Sequence, residues 1–135
     1  FLEKIQKINF DYYQLYDVSP ERTKNIKENN QIEIISALTI NKKEDVDKYK
    51  DYMDISEIIL FDGKGYEKSI SFDHNLLKNL PSQLNKMIAG NIKIEDISKF
   101  INKDFIIDIS GSLENNEGEK DIKKINNLLN FVKEI

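Results

Sequence analysis

Apolar residues along this chain alternate between two rhythms. Short continuous or every-second runs are followed by longer stretches in which apolar positions recur every three or four residues, the patterns of strand and helix. Tyr12–Leu15 reads as a first strand, and Ser19-Pro20-Glu21 as an N-cap with proline in the first helical turn. That helix is expected to run to about Glu28 and to close at Asn29-Asn30. Gln31–Ile40 holds a second strand, rich in β-branched residues at Ile32, Ile34 and Ile35. Asn41 is placed to cap a helix reaching about Tyr52. Ser56–Phe61 is a third strand, and its unbroken Ile58-Ile59-Leu60-Phe61 run implies burial on both faces.

Asp62-Gly63-Lys64-Gly65 then opens a loop of about ten residues, longer than the usual connection of about 2–6. Asp73 caps a short helix carrying Leu76, Leu77 and Leu80, which Pro81 ends. Lys86–Ala89 is a fourth strand, Gly90-Asn91 a turn, and Ile94–Ile101 a helix with Ile97, Phe100 and Ile101 inward. Phe105–Ile109 is a fifth strand, and Ser110–Gly118 a polar loop. The last helix, Asp121 to Ile135, carries Ile122, Ile125, Leu128, Leu129 and Val132 at helical steps.

A leading amphipathic stretch (Leu2, Ile5, Ile8) therefore precedes five strand–helix units, the order of a parallel sheet with crossover helices. Two architectures fit: a complete doubly wound sheet, or the last five units of a (β/α)₈ barrel. Spread over 135 residues, five units take 27 each, so eight would need about 216, within the barrel range of about 200 to over 400. The chain starts at Phe1 and enters its amphipathic pattern at once, which suggests a cut through a larger protein.

Composition narrows the chemistry. Apolar residues make up 39% and charged residues 33%, with a net charge of −4, which disfavours a dedicated nucleic-acid binder. There is no cysteine, which excludes disulfides, thiolate metal sites and a Cys nucleophile within these residues; the single histidine, His74, excludes a multi-histidine metal centre. The longest uncharged apolar run is too short to span a bilayer, and the start lacks a signal-peptide core. A soluble, cytoplasmic protein with no membrane partner is the expectation.

In either architecture ligands bind at the C-terminal ends of the strands. Tyr16-Asp17, Asp62, Gly90-Asn91 and Asp108–Ser112 all fall there. Asp62 follows an apolar strand, where lost solvation suits a carboxyl to general acid work; it could equally do no more than begin a turn with Gly63. Gly90 and Ser110-Gly111-Ser112 could cradle a phosphate through backbone N–H groups and hydroxyls, or be ordinary loop chemistry. Asp108 lies inside the apolar Ile106–Ile109 strand, where in a barrel it would point into the rim or bond to a neighbouring loop, while His74 reads as an exposed helix residue. The pairs Lys42-Lys43 and Lys123-Lys124 read as solvated helix faces, and no Walker motif, metal cluster or dinucleotide fingerprint is present.

Taken in order, these segments resemble the phosphoribosylanthranilate isomerases. Asp11-Tyr12-Tyr13-Gln14-Leu15 is similar to the family's fourth-strand Val-Gln-Leu-His-Gly, Ile58 to Asp62 to its sixth-strand Leu-Leu-Leu-Asp, and Ser71-Phe72-Asp73 to its Thr-Phe-Asp-Trp helix start. Ile88-Ala89-Gly90-Asn91-Ile92 resembles Leu-Ala-Gly-Gly-Leu. Asp108 to Glu114, with Gly118, Lys120 and Asp121, resembles Asp-Val-Ser-Ser-Gly-Val-Glu…Gly-Lys-Asp.

The resemblance implies an α/β fold, the part of a (β/α)₈ TIM barrel from about strand 4 to strand 8, as a single partial domain lacking the N-terminal segment. It implies an Amadori rearrangement of N-(5-phosphoribosyl)anthranilate, a small phosphorylated sugar-anthranilate substrate, without cofactor or metal. Asp62 takes the position of the general acid that opens the ribose ring. Gly90 and Asn91 match the seventh-strand phosphate loop, Ser110, Gly111 and Ser112 the eighth-strand loop, and Asp108 its aspartate. Departures are the missing first three strands with their cysteine base, Tyr16 in place of a usual histidine, Asn91 for a second glycine, and Gly111-Ser112 in reversed order. Three expectations follow: the isolated chain is inactive; its inward face carries Ile34, Ile59 and Ile107 or their neighbours; and it dimerises or aggregates. The competing reading is a non-catalytic, doubly wound module that binds a phosphate ligand or a protein.

Overall fold

The computed structural model describes residues 8–63 and 70–135. The leading stretch through Lys7 and the segment Lys64–Ser69 lie outside the described residues. Five strands form one parallel sheet: β1 (Tyr12–Tyr16), β2 (Glu33–Thr39), β3 (Ile58–Asp62), β4 (Lys86–Ile88) and β5 (Phe105–Ile107). Their order in the sheet is their order in the chain. A doubly wound sheet reverses its strand order at a switch point, so the sequential order contradicts that alternative.

Between the strands lie α1 (Pro20–Asn30), α2 (Lys43–Asp47) and α3 (Ile94–Ile101), and α4 (Ile122–Glu134) follows the last of them. Ser19 caps α1 by accepting the Arg22 N–H at 3.3 Å, and the helix runs to Asn30, beyond its expected close, until Gln31 turns left-handed at φ 50°. The helix expected from Asn41 to Tyr52 is instead α2 followed by a 3₁₀ turn at Lys48–Asp51. Its cap is Asp45, whose carboxylate accepts the N–H groups of Asn41 (3.0 Å) and Lys42 (3.1 Å). The break has a packing cause: Val46, Tyr49 and Tyr52 are all buried at three-residue steps, the period of a 3₁₀ turn. The next helix is likewise one 3₁₀ turn, His74–Leu77, capped by Asp73 as expected, through the Asn75 N–H at 3.0 Å.

The sheet has two different faces. Leu38, Ile59, Phe61 and Ile88 point toward the helices, where they join Val46, Tyr49, Leu77, Ile92 and Phe100 in the main core. Alternation places Ala37, Leu60 and Ala89 on the other face, with Tyr16, Ile35 and Met87 beside them. Of the residues expected on the inward face, the named three turn the other way: Ile34 and Ile59 are 0% and 1% exposed, and Ile59 and Ile107 pack in or against the main core. The opposite face carries their neighbours Ile35, Leu60 and Ile106, and Ile106 is 47% exposed. No residue of α4 is buried, and its Ile122, Leu129 and Val132 are exposed.

Candidate active site

The end of each strand is defined by local structure. Asp17, left-handed at φ 48°, turns the chain out of β1; its carboxylate accepts the Thr39 N–H (3.0 Å) and hydroxyl (2.6 Å), pinning the ends of β1 and β2 together. Asp62 is the last residue of β3, paired in register with Thr39, and its carbonyl accepts the Ile40 N–H at 2.8 Å. Period-two alternation from Leu60 turns its side chain to the face opposite the helices, where it is 6% exposed.

Tyr16, the last residue of β1, reaches the same place. Its hydroxyl donates to Asp62 Oδ2 at 2.8 Å. Burial pushes the Tyr16 phenol above its usual range, and the bond to Asp62 and the charges of Asp62 and Asp108 push it further. The phenol therefore stays a hydrogen-bond donor at neutral pH. Asp108, just past β5, is fixed by its N–H donating to the Ile88 carbonyl at 2.9 Å. Burial raises its carboxyl above the ordinary range, and the nearby Asp62 charge adds to the shift.

Opposite these groups are two loops. Gly90 adopts φ +101° and Asn91 φ +52°, so the chain turns through two left-handed residues in succession. A Cβ on Gly90 would lie 2.8 Å from both Gly63 N and the Ile70 carbonyl oxygen, and 3.1 Å from Asp62 Oδ1. Only glycine lets this loop close over Asp62. The Ser112 hydroxyl donates to the Ile92 carbonyl, tying the two loops to each other. Ser110 accepts from Lys120 Nζ through its carbonyl (3.2 Å) and hydroxyl (3.1 Å), and Lys120 is also paired with Glu114.

Together Tyr16, Asp62, Gly90, Asn91, Asp108, Ser110 and Ser112 line a cleft of about 210 Å³, floored by Ala89 and Ile92. Six of the seven site residues expected from sequence converge here. Gly111 is the exception: it opens a 3₁₀ turn, Gly111–Leu113, and has open space where its Cβ would be. Tyr16 is the addition. It is visible in the sequence as a strand-end residue, but its bond to a partner 46 positions away depends on strand order and register. His74, expected to be exposed, is half-buried between Phe72 and Phe100, away from the cleft. Among the described residues no group of three His, Cys, Asp or Glu could hold a metal ion, and no helix is long and apolar enough to cross a membrane.

The cleft thus sets two carboxyls and a phenol on one side against glycine and serine loops on the other. The sequence profile of the N-(5′-phosphoribosyl)anthranilate isomerase family matches residues 1–131. The N-(5′-phosphoribosyl)anthranilate isomerases of Brucella canis and Brucella suis are each 31% identical over 140 residues, covering 96% of this chain. The chain spans 63% of the length of these relatives. Its fold is similar to that of phosphoribosyl anthranilate isomerase from Thermotoga maritima, with TM-score 0.79 and 22% identity over 99% of this chain and 67% of that one. A phosphoribosyl anthranilate isomerase in complex with reduced 1-(o-carboxyphenylamino)-1-deoxyribulose 5-phosphate is similar too, with TM-score 0.77 and 21% identity over 99% of this chain and 65% of that one. On the match to its profile and to these relatives, the chain belongs to the N-(5′-phosphoribosyl)anthranilate isomerase family.

Proposed function

We propose that this chain is the part of a phosphoribosylanthranilate isomerase barrel from strand 4 to strand 8, carrying the general acid and the phosphate loops. The observation that carries the reading is the convergence of Asp62, Tyr16 and Asp108 with the Gly90 and Ser112 loops in one cleft at the C-terminal strand ends. The coverage of 63% supports the barrel count, since five units of eight would be close to that share. The reduced rearrangement product bound by a structural relative supports the substrate class, a phosphorylated sugar bearing an anthranilate.

In this reading Asp62 gives a proton to the ribose ring oxygen as the C1–O bond breaks, and the anthranilate nitrogen supplies the electron pair that forms the iminium. A base then removes the C2 proton to give the enolamine, which tautomerises to the ketone. Tyr16 holds Asp62 Oδ2, leaving Oδ1 toward the Gly90 loop and the substrate. The phosphate sits between Gly90-Asn91 and the Ser110-Gly111-Ser112 loop, where backbone N–H groups and the Ser110 hydroxyl meet its oxygens. Lys120 holds Ser110 in place. No cofactor enters the chemistry.

The family resemblance implies a cysteine base on the first strand of the barrel, and this chain has no cysteine. One missing acid–base partner removes about 10²–10⁴-fold of rate, so the 135-residue chain alone is expected to be inactive. The test joins the chain to the N-terminal strands of the Brucella canis relative and follows conversion of phosphoribosylanthranilate. Turnover by the joined protein and none by the chain alone is the expected result. Turnover by the chain alone, or a folded joined protein without activity, would overturn the reading.

A further inference from the structure

A second cavity, of about 300 Å³, lies on the helix side of the sheet, at the opposite end of the strands from the cleft. Lys86 and Phe105, the first residues of β4 and β5, line it together with His74, Phe100, Lys78 and Lys103. Lys86 is only 5% exposed. Among the described residues no carboxylate lies within 4.0 Å of its ammonium, which instead meets the carbonyls of Pro81 and Ser82 at 3.5 Å and of Leu84 at 3.4 Å. Those contacts are longer than the 2.7–3.2 Å of a good N–H···O bond. The ammonium also sits 5.3 Å above the Phe105 ring centroid. Three long carbonyl contacts leave this buried cation without a charged partner, which a carboxylate entering the cavity would supply.

The wall beside it is aromatic. His74 stands edge-on to Phe100 at 4.9 Å, and Phe100 to Phe105 at 5.6 Å. Among the described residues His74 Nε2 has no hydrogen-bond partner and is buried. Burial holds the imidazole below its usual range, with smaller effects from Asp96, Lys99 and Asp73, so at neutral pH the ring carries one N–H. Three lysines and one carboxylate, Asp104, line the cavity, a local positive excess in a chain whose net charge is −4.

We propose that this cavity is a binding site for a small organic anion with a flat apolar body, its carboxylate on Lys86 and its ring against Phe105 and Phe100. Lys103 and Lys78 at the mouth draw the anion in. The site is independent of the isomerase reading, since none of these residues lines the cleft.

The experiment titrates the chain with benzoate, with benzyl alcohol as the uncharged counterpart and inorganic phosphate as the anion without a ring. Calorimetry gives affinity, and the ring resonances of His74, Phe100 and Phe105 report position. Benzoate is expected to bind saturably with shifts at these three rings, at least tenfold more tightly than either control. Lys86→Met is expected to weaken binding about tenfold. The exposed substitution Lys103→Gln, which leaves the core untouched, is expected to weaken it about threefold, so the proposal stays testable if the buried variant fails to fold. Absence of saturable shifts, benzyl alcohol or phosphate binding as tightly as benzoate, or unchanged affinity in Lys103→Gln would overturn it.

Discussion

The most consequential residue of the cleft is held by a bond that crosses the sheet. Tyr16→Phe removes the donor to Asp62 Oδ2 and leaves that oxygen short of a partner in a nearly buried place. A loss of about 1.5 kcal/mol in unfolding free energy is expected, read by urea denaturation; no loss would mean the bond contributes nothing. Asp108 gives the opposite sign. Its folded carboxyl is raised above the ordinary value of about 3.9. The native state therefore binds more protons than the unfolded state above that pH, and stability falls as pH rises through the window up to the raised value. Asp108→Asn removes this penalty, so the variant is expected to gain melting temperature relative to wild type at pH 7 and little at pH 3. An equal change at both pH values would contradict it. At this scale the sequence is informative where a residue's place along a strand decides its role, as for Asp62 and Asp108. It is silent on Tyr16–Asp62, which exists because β1 and β3 flank β2 in register.

Among the elements, β4 and the turn after it matter most to the cleft. Gly90→Ala forces a side chain into a φ of +101° and into contact with Gly63, the Ile70 carbonyl and Asp62. Strain of this kind costs about 1–3 kcal/mol, and the variant is expected to lose that much in denaturant titration. A variant as stable as wild type would show that the loop relaxes freely. The strands and α3 are readable because their apolar runs have distinct periods. What is not readable is the parity of the continuous runs. Ile58 to Phe61 is apolar at every position, so the pattern alone does not say which residues face the helices, and an error of one reverses the face. Contact with α2 and the 3₁₀ turns decides it, giving Ile59 and Phe61 to the core. The same packing resolves the expected long helix at Asn41 into α2 and a 3₁₀ turn, since Val46, Tyr49 and Tyr52 are needed on one line.

At the scale of the molecule, the sequential strand order speaks against the doubly wound sheet that the element pattern leaves open. A sheet wound in chain order leaves β1 and β5 as its two edges, each paired on one side only among the described residues. Its inner face is not fully covered at Ile35, Met87 and Ile106, and α4 presents Ile122, Leu129 and Val132 to solvent. Unpaired edges and apolar surface of this kind template association. The isolated chain is therefore expected to self-associate in sedimentation velocity as concentration rises; a monodisperse monomer would contradict this.

In the proposed reading Asp62 is the proton donor of an isomerase whose base lies in barrel strands outside this chain. The most direct measurement compares turnover of the chain joined to the Brucella canis N-terminal strands with that of the same protein carrying Asp62→Asn, alongside binding of the reduced rearrangement product to both. A fall in kcat of about 10²–10⁴-fold with product-analogue binding retained is expected. Undiminished turnover by the joined protein carrying Asp62→Asn would contradict it.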